Sequence, residues 1–123
     1  MSEKYLIVGA TGSIGSNLAE QMHSSGREIH LVGRDEAQLK NLSEKLNSPY
    51  TVADVLQDGF VDKIKLDVPE IKGLAYCVGS IDLKPLKFTT ENDFNKCMKL
   101  NFYSAVDLIK GYQLNLQPSK NLV

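Results

Sequence analysis

Four short apolar runs, each closed by a glycine or an aspartate, constrain the fold of this chain more than any other feature. They are Tyr5-Leu6-Ile7-Val8 before Gly9, Ile29-His30-Leu31-Val32 before Gly33, Tyr50-Thr51-Val52-Ala53 before Asp54, and Leu74-Ala75-Tyr76-Cys77-Val78 before Gly79. Runs that are apolar throughout, rather than alternating, suit strands covered on both faces, the usual condition of a parallel sheet. Helical patterns lie between them. Ile14, Leu18 and Met22 recur at helical spacing before Ser24-Ser25-Gly26, and Leu39, Leu42 and Leu46 share a face before Asn47-Ser48-Pro49. Phe60, Val61 and Ile64 predict a short helix between Asp58-Gly59 and Pro69. A long helix is expected from Thr90, which can form a capping box with Asp93. Phe94, Cys97, Met98, Ala105, Leu108, Ile109 and Tyr112 mark its buried face, and Asn101 falls on the same face. Asn121-Leu122-Val123 reads as the start of a fifth strand. The expected fold class is α/β, a three-layer doubly wound parallel sheet.

A length of 123 residues suits one domain, residues 1–123. A charged fraction of 24% and a net charge of −1, scattered along the chain, argue against a nucleic-acid or membrane surface. The apolar run that follows Met1-Ser2-Glu3-Lys4 is too short for a signal-peptide core, so a cytoplasmic protein is expected. Cys77 and Cys97 lie far apart and outside any C-x-x-C pair, which predicts no disulfide framework and no metal site. They read as small buried side chains. His23 and His30 read as structural.

In doubly wound sheets ligands bind beyond the carboxyl ends of the strands. Gly9-Ala10-Thr11-Gly12-Ser13-Ile14-Gly15 follows a strand and opens a helix, the context in which a glycine motif means nucleotide binding. Glycines permit positive φ and close backbone approach, and the helix N-terminus offers unpaired N–H groups to a pyrophosphate. Gly33 stands after the second strand, where a carboxylate would serve a ribose 2′-hydroxyl. Arg34 instead offers a planar set of donors to a 2′-phosphate, at roughly 1.5–3 kcal/mol per charge-assisted hydrogen bond. NADP(H) is therefore expected in preference to NAD(H). Asp54 reads either as a turn former or as an acceptor for an adenine amino group, with Val55 packing on the ring. Asn101 reads either as a structural network residue or as a functional one, since a polar group on an apolar face must find partners.

Taken together, Gly9-x-x-Gly12-x-x-Gly15, Gly33-Arg34-Asp35, Asp54-Val55, Cys77-Val78-Gly79 and Asn101 resemble the short-chain dehydrogenase/reductase family over the whole chain. The resemblance implies an NAD(P)-binding Rossmann-like fold, cut at the start of the fifth strand. It places Gly9, Thr11, Gly12, Ser13, Ile14 and Gly15 at the cofactor pyrophosphate, Arg34 at the 2′-phosphate, and Asp54 and Val55 at adenine. Val78 and Gly79 would border the adenosine ribose. Asn101 would be the family's catalytic helix asparagine, supporting a water relay. Ser13 stands where classical members carry glycine, and Tyr76-Cys77-Val78-Gly79 keeps only the glycine of the family's Asn-Asn-Ala-Gly run.

The family's acid/base apparatus is a serine and a Tyr-x-x-x-Lys. The tyrosines here, at 5, 50, 76, 103 and 112, are followed four residues later by Gly9, Asp54, Ser80, Asp107 and Leu116, none of them lysine. The chain is thus expected to be the cofactor-binding part of an oxidoreductase that interconverts a small carbonyl and an alcohol, inactive alone. The alternatives are a non-catalytic dinucleotide-binding or sensing module, a domain completed by a partner, or a flavin-binding domain. The family also implies self-association into a homo-oligomer through the long helix and the one that follows it.

Overall fold

The computed structural model describes residues 3–79, 86–113 and 121–122. Strands form at the apolar runs: β1 Tyr5–Val8, β2 Ile29–Gly33, β3 Tyr50–Val52, β4 Gly73–Tyr76 and β5 Asn121–Leu122. They make one sheet in the order β3-β2-β1-β4-β5, with every adjacent pair parallel. The direction of winding reverses between β1 and β4, which creates the switch point at which such sheets open a crevice. β4 stops short of the apolar run that marks it, yet the Cys77 N–H still donates to Val8 O at 2.7 Å, so the chain stays alongside β1.

Among the described residues the α-helices are α1 Ser13–Ser24, α2 Glu36–Leu46, α3 Phe60–Asp67, α4 Glu91–Met98 and α5 Ser104–Gln113. They cover both faces of the sheet. Ile7, Ile29 and Leu31 point to one side, where they pack with Ala19 of α1 and Leu39 and Leu46 of α2. Leu6, Val8, Val32 and Leu74 point to the other, under Phe60 and Ile64 of α3 and Leu108 and Tyr112 of α5. Pleating thus sorts a uniformly apolar strand into two cores, and each fully buried leucine or isoleucine contributes roughly 1.5–3 kcal/mol. Asn47 ends α2 in the left-handed conformation at φ 47°, where asparagine is tolerated.

The buried faces of two helices differ from those the spacing predicts. In α1 the buried residues are Gly15 and Ala19, while Ile14 is 75% exposed. The small pair lets the helix axis approach β1 closely, with Met22 packed at the edge of the core and Ile14 turned outward. The long helix is not one α-helix: residues Lys99–Tyr103 form a π turn between α4 and α5. Such a turn adds about one residue to the helical repeat, so the phase on its two sides differs. Leu108 and Tyr112 are buried as expected, but α4 buries nothing, and Phe94, Met98 and Asn101 are exposed. The Thr90–Asp93 capping box is present in both directions.

One polar chain crosses the second core. His30, buried in β2, hydrogen-bonds through Nε2 to Thr51 Oγ1 at 2.7 Å, and the Thr51 hydroxyl donates to Asp67 Oδ2 at the end of α3 at 2.5 Å. Because Thr51 gives its proton to Asp67, His30 Nε2 is the donor and Nδ1 carries the lone pair. Burial lowers the His30 pKa from 6.5 to about 4, reinforced by the Lys4 charge and opposed by Asp67. His30 is structural, as its place in an apolar run implies.

Candidate functional site

The carboxyl ends of β1 to β4 open into one cleft of about 360 Å³. Gly9, Thr11 and Gly12 line it from the loop after β1, Arg34 from beyond β2, Asp54 and Val55 from beyond β3, and Val78 and Gly79 from beyond β4. Residues far apart in sequence are collected because parallel strands all end on the same side. Ser13, Ile14 and Gly15 are outside the lining, in the first turn of α1. Asn101 is also outside it, but its Oδ1 lies 2.8 Å from where a Cβ on Gly79 would stand, so it borders the cleft. Its amide donates to the Cys97 carbonyl at 2.9 Å. The sequence reading placed Asn101 on the buried face; the π turn carries it instead to an exposed position.

The three glycines of the loop have different reasons to be glycine. Gly9 holds φ +82°, and a Cβ there would come within 2.8 Å of the Cys77 backbone. Gly15 sits against the loop so tightly that a Cβ would lie 2.0 Å from Gly9 O. Gly12 is unlike both. Its φ is −74°, it is exposed, and a Cβ would meet only Gly9 O at 3.6 Å, an ordinary contact. It is the N-cap of α1, and no side chain caps that helix. The fold therefore tolerates a side chain at Gly12. A bare backbone at this uncapped terminus leaves room for an anionic group beside the N–H groups that have no intrahelical partner.

Arg34 is exposed at the cleft, with no carboxylate partner among the described residues. The adjacent Asp35 is engaged elsewhere, since its Oδ1 caps α2 by accepting from Gln38 N at 3.1 Å. Gly33 is buried beside Thr11 and Leu39, which a Cβ there would meet at ordinary contact distances of 3.6 and 3.5 Å. Asp54 is a turn former: its Oδ1 accepts from Leu56 N at 2.9 Å. No described residue donates to the second carboxylate oxygen, which leaves it available to a ligand donor.

Sequence reasoning missed Lys96 and Leu100, which line the cleft from α4 and the π turn, and Leu56, which lines it from the loop beyond β3. Nothing in helical spacing marks Lys96, a charged residue within α4, and Leu100 falls in the π turn, where the α-helical period fails. Both cysteines are half-buried rather than fully buried, and both are free. Burial pushes the Cys77 thiol up, which disfavours its thiolate form. Among the described residues no three His, Cys, Asp or Glu side chains converge as metal ligands, and no helix is long and apolar enough to cross a membrane.

A doubly wound parallel sheet with its cleft at the switch point defines the class of α/β proteins that take ligands beyond the strand ends. The profile of the short chain dehydrogenase family matches residues 3–119, and the chain belongs to that family. An uncharacterized oxidoreductase of Staphylococcus epidermidis is 37% identical over 65 residues, covering 50% of this chain and 28% of that protein. The 3-oxoacyl-[acyl-carrier-protein] reductase of Rickettsia bellii is 40% identical over 47 residues, covering 38% of this chain and 20% of the relative. Among solved structures, a Brucella melitensis short-chain dehydrogenase/reductase titled glucose/ribitol dehydrogenase superposes with TM-score 0.85 at 22% identity, over 98% of this chain and 55% of that one. Serine dehydrogenase of Escherichia coli superposes with TM-score 0.81 at 18% identity, over 91% and 55%. The chain therefore spans about half the length of these solved relatives, and their likeness is one of fold.

Proposed function

We propose that this chain is the NADP(H)-binding part of a short-chain oxidoreductase that interconverts a small carbonyl compound and its alcohol. The observation that carries the reading is Gly12. It is a glycine that the fold does not need, at an uncapped helix terminus, in the same cleft as an arginine with no carboxylate partner among the described residues. A dinucleotide phosphate explains both. The pyrophosphate would rest on the loop from Gly9 to Gly15, with Thr11, Ser13 and Ile14 contributing around it. Arg34 would pair with the 2′-phosphate, and Gly33 would supply no repelling charge. Asp54, through its second oxygen, and Val55 would hold the adenine, with Val78 and Gly79 along the adenosine ribose.

When bound, the nicotinamide supplies or accepts the hydride of the carbonyl-to-alcohol reaction. Asn101, bordering Gly79 at the cleft edge, would support proton movement through water. The sequence contains no Tyr-x-x-x-Lys, so the chain alone is proposed to bind the dinucleotide without turning over substrate. That absence also favours a second reading, a non-catalytic dinucleotide-binding module. Calorimetric titration of the chain with NADPH and NADH tests both. NADPH is expected to bind more tightly, and Arg34→Ala should remove most of the difference; an unchanged preference would refute the role of Arg34. Stable, saturable binding by a monodisperse chain would support the module reading, and aggregation would support the enzyme-part reading.

A further inference from the structure

The helical wall of the cleft is a segment that departs from α geometry, and two hydroxyl groups hold it. In the π turn the Ser104 N–H reaches back to Lys99 O, five residues earlier. This spacing is unusual and needs tertiary support to persist. Tyr76, the last residue of β4, provides it: its hydroxyl donates to Leu100 O at 2.5 Å. Ser104, fully buried, donates from Oγ to Val55 O at 2.7 Å. Leu100 and Val55 are both cleft-lining residues, one from the turn and one from the loop beyond β3. One hydroxyl therefore fixes the turn to the sheet, and the other, on the first residue of α5, ties the end of the turn to the loop beyond β3.

We propose that Tyr76 and Ser104 are positioning residues that hold Leu100 and Val55 in the cleft lining for a planar heteroaromatic base. The proposal rests on the nucleotide reading given above. Neither hydroxyl touches the ligand; each acts through a backbone carbonyl of a wall residue. Tyr76 opens the run Tyr76-Cys77-Val78-Gly79, which keeps only the glycine of the family pattern. With the walls held in advance, the base enters a slot whose ordering cost has already been met in folding. Loosening either tie should weaken ligands that carry the base and spare those that lack it.

The test uses Tyr76→Phe and Ser104→Ala in the full chain, each removing one hydroxyl and little volume. Binding is titrated with NADPH, 2′,5′-ADP and nicotinamide mononucleotide, and amide hydrogen exchange is followed without ligand. Each variant is expected to bind NADPH and 2′,5′-ADP about five- to tenfold more weakly, the effect of one net hydrogen bond, with nicotinamide mononucleotide unchanged. Exchange should rise from Leu100 to Ser104 while β1 and β2 stay protected. A lowered thermal midpoint with unchanged 2′,5′-ADP affinity in both variants would mean a merely structural role and overturn the proposal. Unchanged exchange in the turn would also overturn it, independently of any ligand. A wild-type chain that binds neither NADPH nor 2′,5′-ADP, with exchange altered as expected, would refute the nucleotide reading instead.

Discussion

Replacing two glycines of one loop by alanine should separate folding from ligand binding, because the same methyl group meets different surroundings. At Gly15 a Cβ would lie 2.0 Å from Gly9 O and 2.8 Å from Gly9 C, both backbone atoms that no rotamer change can move. The shortfall from ordinary contact is roughly 1.4 Å, so α1 must back away from the loop and lose dispersion contacts with β1. Overpacking of this kind costs about 1–3 kcal/mol, and a contact this short belongs at the upper end. Alanine's better helix propensity returns about 1 kcal/mol. The expected net loss for Gly15→Ala is about 2 kcal/mol, or about 8 °C in thermal midpoint for a domain of this size. At Gly12 the nearest atom is 3.6 Å away and φ is −74°. Losing a good N-cap residue there costs about 0.5–1 kcal/mol, and the stiffer unfolded chain offsets a similar amount. Gly12→Ala should therefore hold its stability within about 0.5 kcal/mol yet bind NADPH at least about tenfold more weakly, its methyl occupying the anion cradle. Thermal and urea unfolding measure the first quantity and calorimetry the second. Equal destabilisation by both variants, or full NADPH affinity in Gly12→Ala, would refute the division of roles.

Acid should weaken the fold through His30. Its pKa in the folded chain is lowered from 6.5 to about 4, so the unfolded chain binds the extra proton between those values. Stability is complete above about pH 6.5, falls as pH drops towards 4 and levels off below, for a total of about 3 kcal/mol from this group. Urea unfolding across that range should show the slope, and His30→Leu should remove this part of it; an identical slope in the variant would contradict the assignment. Packing of α5 on α3 gives a further test. A Cβ at Gly111 would meet Val61 Cγ1 at 2.5 Å, and a β-branched side chain has little rotamer freedom to retreat. Gly111→Ala should lower stability by about 1–2 kcal/mol, and Val61→Ala in the same chain should restore part of that loss, as a double-mutant cycle would reveal.

The sheet was legible in the sequence because each of the four strands before the long helix is a short apolar run with a punctuating glycine or aspartate, and parallel strands need little else to be recognised. The loop after β1, Arg34, Asp54-Val55 and Val78-Gly79 were legible as well, since strand ends are where a doubly wound fold gathers its ligand-facing residues. Legibility failed in α1 and in the first half of the long helix. The stripe Ile14, Leu18 and Met22 gave way to Gly15 and Ala19 because close backbone approach, not side-chain size, decides how α1 sits. The buried face expected for the long helix failed in its first half because a π turn resets the helical phase.

By itself the sequence determined which segments become strands and, through the residues that punctuate them, which groups of the strand-end loops face one cleft. These are local consequences of apolar runs and of glycine's freedom, and they need no knowledge of distant neighbours. The tertiary structure alone decided which glycines the fold requires and which it leaves open, since that depends on what stands across the gap. It also decided that Lys96 and Leu100 join the cleft and that Asn101 borders it, exposed. The π turn is met from the neighbouring strand by the Tyr76 hydroxyl, which donates to Leu100 O, a contact between residues far apart in sequence.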